Sequence, residues 1–155
     1  MPRPSWAIAL VVAACALAAT AAVAPAAPGC RATPDDGFGP FGQGTPPVRA
    51  RIGSGHVLTG VVLSALDCKP LARARVELWQ RGKNGYTRAT SATVFTNREG
   101  RFRFEGPYPM LYGGGSPHIH LRITAPVHRQ LVTRYEPLRG ARRGTVQLVL
   151  MPAAL

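Results

Sequence analysis

Two histidines one residue apart, His118 and His120, sit in the run Gly106 to Ile123, GPYPMLYGGGSPHIHLRI. In an extended strand, side chains at i and i+2 point to the same face, so both imidazoles project together while Ile119, Leu121 and Ile123 point the other way. One face can then hold a metal ion and the other can pack a core. Tyr108 lies ten residues before His118, between Pro107 and Pro109, and the two proline rings hold the chain extended around it. A phenol and two imidazoles are metal-ligand chemistry. An HxH pair is also an ordinary strand pattern and PYP an ordinary turn, so the argument depends on the elements that carry them.

Those elements read as short strands separated by turns. Val57 to Leu63 is β-branched and ends at the turn Asp67-Cys68-Lys69-Pro70, and Ala74 to Gln80 alternates, with Val76 and Leu78 on one face and Glu77 and Trp79 on the other. That alternation predicts a half-buried strand. A polar turn, Arg81 to Gly85, leads to Tyr86; the residues from there to Phe95 show no period and are expected to form a loop. Arg101 to Phe104 should turn Phe102 and Phe104 inward, and Leu131 to Tyr135 and Thr145 to Leu150 supply two more strands. Gly113 to Gly115 reads as a flexible connection into the His118 strand. With 17 Gly and 15 Pro in 155 residues and no convincing helix, the expected fold class is all-β, an antiparallel β-sandwich with an extended N-terminal arm. Three segments follow: 1-26, 27-47 and 48-155, the last being the sandwich domain.

Residues 1-26 have an early Arg3, an apolar Ala/Val/Leu run and small residues, the order of a secretory signal peptide cleaved between Ala22 and Ala27. The expected location is therefore outside the cytoplasm, secreted or in the periplasm or cell envelope, with no stable membrane insertion after cleavage. Cys15 leaves with the signal. Cys30 and Cys68 then remain as a pair in an oxidising compartment, which predicts one disulfide between them. The arm, rich in Gly, Pro and Asp, offers Phe38 and Phe41 as apolar anchors. The formal charge is +12, and it favours anionic partners, anionic aromatic acids among them. Nucleic acid is excluded as a partner because the arginines are scattered over strands and turns and no recognition-helix pattern occurs.

Several motifs occur together in one order: Gly60-Val61-Val62, Cys68-Lys69-Pro70, Ala74 to Gln80 (ARVELWQ), Gly85-Tyr86, Thr96 to Phe104, Gly106 to Pro109 (GPYP) and Pro117 to His120 (PHIH). This combination resembles the intradiol ring-cleavage dioxygenases, the family of the protocatechuate and catechol enzymes, in the form of a small secreted member. The resemblance covers roughly residues 30 to 150. It adds Tyr86, which spacing alone does not single out, to Tyr108, His118 and His120. It implies a mononuclear non-haem Fe(III) held by these four side chains, Tyr86 and His118 equatorial and Tyr108 and His120 axial. Two imidazoles and two phenolates form a hard, anionic set suited to a trivalent cation, and a phenol with a pKa near 10 needs a strongly Lewis-acidic ion to bind as phenolate.

The implied activity is dioxygenation of a small aromatic diol by O2, with cleavage between the two hydroxylated carbons to a muconate-type diacid and Tyr108 helping to accept a proton. Family members carry an arginine three residues before the first His, where this chain has Gly115; a Gln further on is here Arg134. Arg134 and Arg122, the latter on the face of His118 and His120, are the candidates to supply the missing positive charge. The alternative is a non-catalytic secreted β-sandwich binding module related to the dioxygenases, since similar sandwiches serve as binding domains.

Overall fold

A computed structural model describes residues 30–39, 44–111 and 115–154. The proposed signal segment, Phe41, Gly113 and Gly114 lie outside the described residues. Seven strands form two sheets: β1 (His56–Ser64), β2 (Arg75–Gln80), β3 (Ser91–Phe95), β4 (Arg101–Gly106), β5 (Ile119–Thr124), β6 (Leu131–Tyr135) and β7 (Arg143–Leu150). One sheet has the order β4-β1-β7 and the other β3-β2-β5-β6. The all-β sandwich expected from the sequence is what forms. The pairing is antiparallel throughout except between β1 and β7, which run parallel from Val57 opposite Arg143 to Ser64 opposite Leu150.

The core lies between the sheets. Leu58, Val62, Phe102, Phe104, Leu148 and Leu150 come from one, and Val76, Leu78, Ala92, Val94, Ile119, Leu121 and Ile123 from the other. Both phenylalanines of the RFRF strand do face inward. Gly60 is required where it stands: a Cβ there would lie 2.3 Å from the Phe102 ring, so the ring crosses β1 only because that position has no side chain.

Two expectations give way. The stretch after Tyr86 contains β3 (SATVF), which pairs with β2 from Trp79 opposite Ser91 to Arg75 opposite Phe95. Its first four residues are all buried, so the alternation that marks a one-faced strand is absent. β2 is likewise buried on both faces from Val76 to Gln80, not half-buried. Its outward Glu77 lies beneath Arg75 and Arg122, and the Arg122 guanidinium sits 5.0 Å from the centre of the Trp79 ring.

The N-terminal arm is held by hydrogen bonds and not by the Phe38 anchor, which is 75% exposed. Thr33 exchanges two bonds with Val149, its amide donating to the Val149 carbonyl and its hydroxyl accepting from the Val149 amide. Asp36 donates its amide to the Val132 carbonyl, and Asp35 accepts from the Val132 amide. Farther along, the Thr93 amide donates to Pro47 and its hydroxyl to the Pro46 carbonyl, both 2.8 Å. An edge strand with free backbone groups is thereby covered.

The disulfide Cys30–Cys68 is formed, with its Cα atoms 5.2 Å apart. It closes a loop with a sequence separation of 38 residues, which in the chain-entropy picture stabilises the fold by about 3 to 4 kcal/mol. Replacing both cysteines by serine should lower the unfolding free energy in urea by about that amount. An unchanged midpoint with an unchanged slope would show that the bridge contributes nothing to folding.

Candidate metal centre

Three of the four residues singled out as ligands come together. His118 Nε2 and His120 Nε2 are 3.1 Å apart, and the Tyr86 hydroxyl is 3.1 Å from His120 Nε2. The rings meet edge to face, His118 on His120 with centroids 4.6 Å apart and Tyr86 on His120 with centroids 5.4 Å apart. Each side chain has a local reason to be there. β5 turns Ile119, Leu121 and Ile123 into the core, which fixes His120 on the opposite face, and His118 enters from the residue just before the strand. Tyr86 follows a tight hairpin in which Gly82 and Gly85 exchange backbone hydrogen bonds of 2.9 and 3.0 Å. It precedes a single 3-10 turn, Arg88–Thr90, pinned by the Thr87 amide donating to the Thr90 hydroxyl.

Proton placement at this cluster favours a cation. His118 Nδ1 is 2.8 Å from the Ser116 carbonyl oxygen, which can only accept, so Nδ1 carries the proton and Nε2 presents its lone pair. His120 Nε2 has one site, proton or lone pair, and faces both the His118 lone pair and the Tyr86 oxygen. A proton there satisfies one neighbour at most well, and a lone pair there faces that of His118. A metal ion accepting all three donors removes the conflict. His120 Nδ1 is buried with no hydrogen bond of good geometry, although the Phe38 backbone lies near enough to favour the protonated ring slightly.

Among the described residues no three His, Cys, Asp or Glu side chains gather. The oxygen donor within reach of the two imidazoles is the Tyr86 hydroxyl, and phenolate with imidazole suits ferric iron better than a soft or borderline divalent ion.

Tyr108 stands apart from the other three. Its hydroxyl donates to the Leu138 carbonyl at 3.2 Å, and its ring meets His56 edge to face at 6.0 Å. The PYP segment is held by the Gln80 side-chain amide donating to the Pro107 carbonyl at 2.9 Å. It passes close over Ile52 to Gly55: a Cβ at Gly53 would lie 2.9 Å from Pro107 Cδ, and Gly55, at a φ of +128°, would bring one to 3.3 Å from the Tyr108 amide. Tyr108 lines a cavity of about 650 Å³ together with Ser116 and Pro117, the residues that lead into His118.

Both candidate arginines are ion-paired. Arg122 shares the face of His120, but its Nε is 2.5 Å from Glu77 Oε2, while Arg75 Nη2 lies 2.8 Å from Glu77 Oε1. Glu77 is only 3% exposed, and removing its charge would leave the partly exposed Arg75 and Arg122 as unpaired like charges side by side. Arg134 is the cross-strand partner of His120. Its Nε lies 3.0 Å from Glu136 and 4.0 Å from Asp36, and half of its side chain is exposed. Gly115 is exposed. Sequence reasoning assigned no role to Ser116 or Gln80 and placed Glu77 only on the outer face of its strand; Gln80 and Glu77, polar residues among Val76, Leu78 and Trp79, carried a signal.

No family model and no curated protein matches the sequence. Solved structures do match. The dioxygenase domain of a dioxygenase and carbohydrate-binding protein fusion from Streptomyces sp. SirexAA-E is 26% identical, with 79% of this chain and 100% of that chain covered and a TM-score of 0.67. An intradiol ring-cleavage dioxygenase from Tetranychus urticae is 20% identical over 79% of this chain and 96% of its own, also with a TM-score of 0.67. Catechol 1,2-dioxygenase from Pseudomonas arvilla C-1 is 21% identical over 71% and 59%, with a TM-score of 0.57. The structural neighbours are thus intradiol dioxygenases, which supports the resemblance read from the motifs.

Burial lowers the pKa of His120, and the neighbouring His118 lowers it further; Asp36 and the Phe38 backbone act in the opposite direction, and Arg134 lowers it again. The sign follows directly. Above the ordinary value of 6.5 the ring is neutral in folded and unfolded chains alike; as pH falls below it, the unfolded chain gains a proton that the folded one resists. Iron-free protein should therefore lose stability between pH 7 and pH 5, and the loss should be smaller in His120→Asn. Equal pH slopes for the two proteins in urea denaturation would contradict this account of the site.

Proposed function

We propose that this chain is a non-haem Fe(III) intradiol dioxygenase that opens a catechol-like ring to a muconate-type diacid, exported from the cytoplasm by its first 26 residues. The observation that carries the reading is the convergence of His118 Nε2, His120 Nε2 and the Tyr86 hydroxyl within 3.1 Å steps, with His118 held in the ligating tautomer by Ser116. These three would hold the ion, with Tyr108 as the fourth ligand. Ferric iron bound there supplies a Lewis acid that activates the bound diol toward O2.

The remaining roles fall to the chain itself. The Ser116 carbonyl orients His118 with its Nε2 lone pair toward the centre, and burial favours the neutral form of His120. Tyr108, on the wall of the cavity beside Ser116 and Pro117, would accept a proton from an incoming diol only as phenolate, after its hydroxyl gives up the bond to Leu138. The charge of Arg134, one strand over from His120, is balanced by Glu136 and Asp36, whereas Arg122 shares the single carboxylate of Glu77 with Arg75, which leaves one positive charge in that group.

A second reading, a related binding module without turnover, is favoured by two observations: Tyr108 is directed at Leu138, and Gly115 stands where the family has its arginine. Oxygen uptake by iron-loaded protein with catechol, protocatechuate and hydroxyquinol separates the two. The dioxygenase reading expects one O2 consumed per diol with formation of a diacid, and a fall of at least about 100-fold in Tyr86→Phe. Absence of uptake with every diol, by protein that holds iron, would favour the module.

A further inference from the structure

Resting on the dioxygenase reading, we infer that His56 is a positioning residue: it holds the turn Leu138 to Ala141 against β1 as the resting place of the Tyr108 hydroxyl, and so sets how readily Tyr108 leaves that turn for the metal centre. His56 is the first residue of β1, opposite Gly106 on β4, and only 1% exposed. Its Nδ1 is 2.7 Å from the Ala141 carbonyl oxygen, which can only accept, so Nδ1 carries the proton. Nε2 is then a bare lone pair, buried with no partner among the described residues. A buried acceptor without a donor works against folding. Neither the packing of the core nor the cluster of Tyr86, His118 and His120 calls for an imidazole at this place.

The turn itself is closed by the Ala141 amide donating to the Leu138 carbonyl at 2.9 Å, and its third residue, Gly140, has a φ of +71°. The Leu138 side chain is 83% exposed and anchors nothing. Just beyond, the Val57 amide donates to the Arg142 carbonyl at 2.9 Å. The backbone of β1 thus takes Arg142, and the side chain of His56 takes Ala141. The same imidazole meets Tyr108 edge to face at 6.0 Å and stacks on Tyr135 at 5.6 Å. Tyr108 in turn donates its hydroxyl to the Leu138 carbonyl at 3.2 Å. His56 therefore holds the acceptor of that bond through Nδ1 and touches the ring of its donor. The Tyr108 oxygen cannot donate to Leu138 and ligate an ion as phenolate at once. A firm resting place competes with ligation, and loosening the turn shifts the population toward the ion. One hydrogen bond is worth about twofold to tenfold in such an equilibrium.

The test records the tyrosinate-to-iron absorption of ferric protein in the wild type, His56→Leu, His56→Gln and His56→Asn, each with and without Tyr108→Phe. The difference within each pair is the share of Tyr108 in the band. Asn keeps a donor on Cγ that can reach Ala141, whereas Leu and Gln remove the donor from that place, and one folded variant of these two suffices. The expected share is about twofold larger in His56→Leu or His56→Gln than in the wild type, and close to wild type in His56→Asn. In the iron-free wild type, the imidazole nitrogen chemical shifts should show His56 with a proton on Nδ1 and none on Nε2. Equal Tyr108 shares in every background, or a His56 ring protonated on Nε2 alone, would overturn the role of His56 and leave the dioxygenase reading standing. Protein that takes up no iron and shows no colour would overturn that reading and this inference with it.

Discussion

The register between β2 and β5 is the constraint on which the rest of the structure depends. It sets Trp79 opposite His120 and Glu77 opposite Arg122, while Leu78 faces Leu121 and Val76 faces Ile123. Because side chains alternate, a slip of one residue would drive an imidazole and a guanidinium into the core and turn Leu121 and Ile123 outward. The apolar residues and the site are therefore specified together. The Glu77 ion pairs reinforce this register, since Arg75 and Arg122 both meet the same nearly buried carboxylate. Charge at that depth costs more to leave unpaired than its pairing gains, so its effect is to penalise other registers.

Much of this was legible in the sequence because it rests on local spacing. The two-residue periods of Phe102 and Phe104, and of Ile119, Leu121 and Ile123, correctly assign which side chains enter the core. His118 and His120 share a face for the same reason. The pairing of Cys30 with Cys68 followed from an even number of thiols in an exported chain, and the bridge is present. β3 was illegible because burial on both faces erased its period, and the parallel pairing of β1 with β7 was illegible because nothing local distinguishes it from an antiparallel neighbour.

The candidate site was legible to a different degree at each residue. Tyr86 depends on a hairpin of two glycines and a capped turn, which spacing cannot project through space; only the motif resemblance singled it out. Ser116 acts through its backbone carbonyl, so the identity of its side chain carries no trace of that role. The arm was read as extended, correctly, but Phe38 is no anchor; backbone, Thr33 and Asp35 hydrogen bonds attach the arm at Val149 and Val132. Arg122 and Arg134 were legible as charges near the histidines, while Glu77 and Asp36, carboxylates distant in sequence, were not legible as their partners.

The central claim is that Tyr86, His118 and His120 form one side of a ferric centre. Its most direct measurement is the uptake of Fe(III) by purified protein, by metal analysis and visible absorption together. The account predicts about one iron per chain with a burgundy tyrosinate-to-iron charge-transfer band, and a change or loss of that band in Tyr86→Phe. Protein that remains colourless and iron-free after ferric reconstitution would contradict it.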